Sequence, residues 1–195
     1  MNARILLTPL LVGTLALGAC GGGNSSQSNN APNPNANEQS PPGDIPDNQA
    51  FVRYTPSGAS YSVKVPEGWA RSSVGGAVTF TDKLNRVRLE RASASAAPTL
   101  SQVRRSELPK LAQSVRGFKP GTVTVVKRTA GPAIRITYLA KAPPNPVTGR
   151  AGTDAVERYV FFHNGKEAVL TLSGPKGADN VDPWRIVTDS VRWSA

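Results

Sequence analysis

The 195-residue sequence predicts an α+β domain, a mainly antiparallel sheet with one long helix and one short helix. Three observations predict it. From Phe51 onward, short runs rich in Val, Ile, Thr, Tyr and Phe alternate with clusters of Gly, Pro, Asn and Asp. A single stretch, opened by Thr99, carries a long helical pattern. Asn164-Gly165 joins two apolar runs by the two-residue connection most diagnostic of a hairpin.

In chain order, residues 51–54 and 61–65 flank the turn Pro56-Ser57-Gly58 and read as a hairpin. Residues 77–81 and 86–91 flank Asp82-Lys83-Leu84-Asn85. The second of these runs alternates Arg86, Val87, Arg88, Leu89 and Glu90, which sends charge to one face and aliphatics to the other. Thr99 can cap the helix, with Gln102 placed to close a capping box, and Leu100, Val103, Leu108, Leu111 and Val115 fall at helical spacing. Pro109 should kink or split that helix because it removes an interior hydrogen bond, and Gly117 ends it. Residues 122–129 and 133–140 flank Gly131-Pro132. Residues 141–152, with Pro143, Pro144 and Pro146, read as an extended loop. Residues 156–163 and 167–173 form the Asn-Gly hairpin. Asp182-Pro183 offers an N-cap and first-turn proline for a short helix through Trp184, Ile186 and Val187, before a short strand at 191–193. The total is about eight strands.

Composition places this domain behind an appendage. The hydrophobic share is 38%, and the chain holds 18 Gly and 17 Pro. Arg4 precedes an apolar run at 5–17, long enough for an export signal but short of the roughly 20 residues of a spanning helix. The run ends in Leu17-Gly18-Ala19-Cys20, which resembles the lipobox of bacterial lipoproteins. That resemblance implies cleavage after Ala19 and acylation of Cys20, the only cysteine. A plain secretory signal is the competing reading; residue order, distance from the start and the lone Cys favour the lipobox. More than one acyl chain makes a durable anchor. Gly21 follows, with no Asp of the kind that retains some lipoproteins at an inner membrane. The protein is therefore expected at the extracytoplasmic face of the cell membrane, or of the outer membrane in a two-membrane host. Signal peptide 1–19, lipidated tether 20–50 and domain 51–195 are the expected divisions. The tether is rich in Asn, Pro, Ser, Gly and Gln, and its only large aliphatic is Ile45.

The net charge of +10 is unevenly spread. Glu38, Asp44 and Asp47 make the tether acidic and Arg4 belongs to the signal, so the domain holds 22 basic and 10 acidic residues.

The order of elements, with Tyr61-Ser62-Val63-Lys64-Val65-Pro66-Glu67-Gly68-Trp69 near its start and Ile186-Val187-Thr188-Asp189-Ser190-Val191-Arg192-Trp193 at its end, resembles the PsbP/Mog1-like α/β/α sandwich superfamily, including LpqN-like lipoproteins. These motifs are packing signatures. The resemblance implies a non-enzymatic accessory or binding domain at a membrane surface.

Residues able to do chemistry are few. His163, the only histidine, sits at the corner of the Asn-Gly hairpin and reads as a turn residue. No Gly-x-Ser-x-Gly elbow or phosphate loop occurs. Asp179 and Asp182 have a calcium-compatible spacing but lack further acidic neighbours, so they read as cap and turn acids with no metal. Trp69, Trp184 and Trp193 read as core residues rather than a sugar platform. No cofactor is expected. The basic excess supplies the binding candidate: Arg86, Arg88, Arg135, Arg104 and Arg105, as a face for anionic lipid, wall polymer or an acidic protein, with nucleic acid disfavoured by export. A scattered solvated surface is the competing reading. The function expected is a membrane-anchored, non-catalytic binding domain. A carrier of a hydrophobic molecule and an envelope-acting hydrolase are the alternatives.

Overall fold

The computed structural model describes residues 42–144 and 149–194. Among them, ten strands form two antiparallel sheets. β1 (Phe51–Tyr54), β2 (Tyr61–Pro66) and β10 (Arg192–Trp193) make a small sheet in the order β1-β2-β10. β3 (Ala70–Val74), β4 (Ala77–Asp82), β5 (Asn85–Ser93), β6 (Lys119–Arg128), β7 (Gly131–Pro144), β8 (Ala151–His163) and β9 (Lys166–Pro175) make a large one, ordered β3-β4-β5-β9-β8-β7-β6. The mainly antiparallel α+β architecture with a long and a short helix is the one the sequence predicts.

Strand alternation divides the core between the two faces of the large sheet. Val87, Leu89, Leu170, Leu172, Tyr159 and Phe161 face a cluster with Val63 and Val65 of β2 and with Trp184 and Val187 of α3 (Val181–Asp189). Val123, Ile134, Ile136, Tyr138 and Val156 face the other way and pack on Val103 and Leu111 of the long helix. Each face is thus covered by an element whose apolar stripe matches it.

The long helix is composite. α1 (Leu100–Gln102) carries the expected capping box: the Thr99 hydroxyl accepts from the Gln102 amide, and the Gln102 side chain accepts from the Thr99 amide at 2.9 Å. A π turn (Val103–Glu107) follows, then α2 (Leu108–Ser114), with Pro109 in its first turn. The π turn accommodates the proline without a sharp break, since its wider ring of hydrogen bonds moves the carbonyl that a proline ring would strike.

Four local features differ from expectation. β3 had no signature because all five of its residues are exposed; it exists as an edge paired with β4 through a hairpin at Gly75-Gly76, both at positive φ as a type I′ turn demands. Much of the stretch read as a proline loop is strand, β7 running to Pro144 and β8 restarting at Ala151. Pro143 and Pro144 are tolerated because β6 stops pairing at Leu139, freeing the outer edge of β7 beyond it, and because the β7–β8 register is irregular between Lys141 and Pro144. The α3 N-cap is Asn180, which places Asp182 and Pro183 inside the first turn. Finally, the end of the segment read as tether joins the folded body. Ile45 is only 4% exposed in the first core cluster, and its amide donates to Asn180 Oδ1 at 2.8 Å. The Gly43 carbonyl accepts from Asn85 Nδ2 (2.9 Å) and Asn180 Nδ2 (3.0 Å), and Asp44 Oδ1 accepts from the Asp179 amide (2.9 Å).

Candidate functional site: an arginine-lined cleft beside α3

Strand register decides where the basic residues go. Arg88 stands across from Thr171, Thr171 across from Arg158, and Arg158 across from Ile136, so these four share the face of the large sheet that the long helix covers, as does Arg86. Arg135 is one residue from Ile136 and projects from the opposite face. The five arginines expected as one surface are therefore split, and four are engaged locally. Arg86 pairs with Asp154 at 3.7 Å, Arg88 with Glu90 at 3.0 Å, Arg104 donates to the Val123 carbonyl at 3.2 Å, and Arg105 to Ser101 Oγ at 3.5 Å. Leu17, Gly18, Ala19 and Cys20 lie outside the described residues.

Arg135 gains different company. It lines a cleft of about 390 Å³ with Arg128, Glu157, Tyr159, Trp184 and Arg185. β6, β7 and β8 bring Arg128, Arg135, Glu157 and Tyr159 together on one sheet face, and α3 supplies Trp184 and Arg185. Arg128 is held on three sides: Nε donates to Thr188 Oγ1 (3.0 Å), Nη2 to Tyr159 Oη (3.1 Å), and its guanidinium lies 5.3 Å from the Tyr159 ring centroid. Tyr159 Oη in turn donates to Glu157 Oε2 at 2.5 Å. Burial, then the bond to Glu157, pushes the Tyr159 phenol above its ordinary value, so it remains a donor. Arg135 Nη1 lies 3.5 Å from Glu157 Oε1, while Arg185 and Arg128 share Asp189 at 3.4 and 3.7 Å. Both neighbouring carboxylates are thus spent on arginines, and cationic donors remain in excess.

The polar accounting points to the same place. Among the described residues, four buried side-chain polar atoms have no hydrogen-bond partner: Thr124 Oγ1, Arg135 Nε, Trp184 Nε1 and Trp193 Nε1. Two belong to residues lining this cleft, and Thr124 is the cross-strand partner of Arg135. Buried donors of this kind are rare and costly in a native fold, and a ligand is one way to satisfy them.

A second cleft, about 470 Å³, lies between the π turn and the ends of β5, β8 and β9. Its one arginine is tied to two carboxylates: Arg158 Nε donates to Glu107 (3.1 Å) and Nη1 to Glu90 and Thr171 (both 2.8 Å). Burial foremost, and then the nearby Glu107, raises the Glu167 carboxyl there. The cluster ties helix to sheet and has no spare cation.

His163 and Trp69 make contacts away from this cleft. The His163 ring stacks on Trp193 at 5.4 Å, and Trp69 Nε1 donates to Gln49 Oε1 at 3.3 Å. Arg128 and Arg185 were not singled out in the sequence. Arg128 ends a strand and Arg185 lies on a short helix, and neither position carries a local signal of the other.

No protein-family model and no curated protein matches the chain. Solved structures do. Cyanobacterial PsbP (CyanoP) from Synechocystis sp. PCC 6803 superposes with a TM-score of 0.54 at 16% identity, covering 91% of this chain and 98% of that one. The Saccharomyces cerevisiae Ran-binding protein Mog1p gives 0.48 at 9% identity (74% and 96% covered). LpqN, involved in cell envelope biogenesis of Mycobacterium tuberculosis, gives 0.43 at 13% identity (75% and 91%). A Bacteroides thetaiotaomicron protein matches at 0.48 and 13% identity over 70% of this chain, which spans about half (46%) of that protein's length. The likeness to CyanoP shows a shared PsbP-type fold, and at that identity it shows the fold alone.

Proposed function

We propose that this chain is a lipid-anchored extracytoplasmic lipoprotein whose PsbP-like domain is a non-catalytic binding module for an anionic ligand. The observation that carries the reading is the cleft in which Arg128, Arg135 and Arg185 converge, with Arg135 Nε unpartnered. Guanidinium groups are suited to such work: they stay charged, present a planar fork that matches carboxylate and phosphate oxygens, and lose less hydration than an ammonium. Here Thr188, Tyr159 and its ring already hold Arg128 in place, so less ordering entropy remains to be lost on binding. The acids near the cations set their orientation and serve no base role. Anchorage rests on Leu17-Gly18-Ala19-Cys20, with the intervening polar segment as a leash between bilayer and domain.

Two measurements test the two halves. Cys20→Ser should shift the protein from membrane to soluble fractions; unchanged membrane association defeats the anchor. Inorganic phosphate titrated onto the full-length protein should bind with an affinity that falls as salt rises, and Arg135→Gln should weaken it at least fivefold. Absence of phosphate binding, or binding indifferent to Arg135, removes the anion-binding assignment.

A further inference from the structure

The arginine cleft does not stop at α3. Trp184, Ala155 and Glu157 also line an adjoining groove of about 340 Å³. Its remaining exposed wall is mostly apolar: Leu139 projects from the same sheet face as Ala155 and Glu157, Lys119 and Pro120 complete the rim, and the Tyr138 and Val156 side chains turn to the opposite face. The groove lies where β6 slips register against β7, between Pro120 and Val123. Gly121 is obligatory at that slip: a Cβ there would stand 2.4 Å from Thr137 Oγ1 and 2.7 Å from the Thr137 carbonyl. Trp184 stands where the two spaces meet. It is only 9% exposed, and its indole N–H has no partner in the protein. Val181, on the first turn of α3, is 71% exposed at the rim of the cleft.

A small inorganic anion would use the arginines and leave the adjoining apolar groove unfilled. A neutral hydrocarbon would use the groove and leave the cationic donors unsatisfied. Resting on the anion-binding reading above, we infer that the joined spaces form a site for a single-chain amphiphile: a carboxylate or phosphate head among Arg128, Arg135 and Arg185, and an aliphatic tail over Trp184 along Ala155, Leu139 and Pro120. Each part is placed by its own physics. The head is attracted by excess positive charge in a partly desolvated recess, and the tail by removal of apolar wall from water.

The test uses full-length protein in neutral phosphatidylcholine nanodiscs, with empty discs as the partition blank, and follows tryptophan fluorescence. The probes are octyl phosphate, octanoate, inorganic phosphate and 1-octanol. Octyl phosphate or octanoate should bind at least tenfold more tightly than both inorganic phosphate and octanol; whichever of the two is tighter identifies the head. Arg185→Gln, at a side chain 69% exposed and so harmless to folding, should weaken octyl phosphate and inorganic phosphate alike. Leu139→Gln should weaken octyl phosphate at least fivefold and leave inorganic phosphate unchanged. Lys64→Gln, a charge-matched change on β2, should alter neither. Equal affinity for phosphate and octyl phosphate, or indifference to Leu139→Gln, overturns the amphiphile assignment while the anion site stands. Failure of every anionic probe to bind overturns both.

Discussion

Replacing Arg158 with Met should remove the strongest polar tie between the long helix and the large sheet. Arg158 spans β8 to Glu90 on β5 and Glu107 at the end of the π turn, with Thr171 on β9 as a third acceptor. Methionine fills much of the same space, so the change isolates the charge. Breaking a fully buried pair by removing one member costs about 3–5 kcal/mol. Here the three charged side chains are 17–28% exposed, so water relieves part of the orphaned carboxylates, and the expected loss falls to about 2–3 kcal/mol. That lowers Tm by about 5–10 °C for a domain of this size. The pH dependence carries a second signature. Burial pushes the Glu90 carboxyl up, but hydrogen bonds from Arg158 and Arg88 outweigh it and hold the group below its ordinary 4.5. A carboxyl lowered in the folded state contributes stability that is complete above the unfolded value and is lost as pH falls through the folded one. The gap between wild type and Arg158→Met should therefore narrow as pH drops from about 6 to about 3. Urea unfolding followed by tryptophan fluorescence across that range measures both. A gap under about 0.5 kcal/mol at neutral pH, or one that does not change with acid, refutes the account of this cluster.

Two further substitutions probe how the polar segment joins the domain. Ile45→Ala should destabilise by about 2–4 kcal/mol, because it empties a site in the main core; a change within about 0.5 kcal/mol in urea unfolding would mean residues 43–50 are detached in solution. Gly174→Ala should cost about 1–3 kcal/mol, since its Cβ would lie 2.3 Å from Asn85 Oδ1 and 2.8 Å from Asn180 Nδ2, wedging apart the two amides that hold Gly43; chemical shifts unchanged at Asn85, Asn180 and Ile45 would contradict that geometry.

Much of the fold is written locally and was therefore legible. Alternation at 86–90, the Thr99 capping box and the Asn-Gly turn each depend on residues a few positions apart, and each appears in the structure. The strand that left no trace, β3, buries nothing and so imposes no pattern on its side chains. The candidate site was legible only in part. A basic domain and Arg135 could be read, but not its neighbours. Which face Arg135 shares follows from the registers of β6, β7 and β8, and the meeting with Arg185 follows from where α3 packs. Composition, the lipobox-like run ending in Cys20, the strand-and-helix order and the surplus of cations are properties of the sequence by itself. The separation of Arg86 and Arg88 from Arg135, the docking of Ile45 through Asn180, and the joining of a cationic cleft to an apolar groove were decided only by tertiary structure. The reason is that pattern and turn chemistry act over a few residues, whereas a site is made by side chains whose sequence separation is set by strand pairing and layer packing.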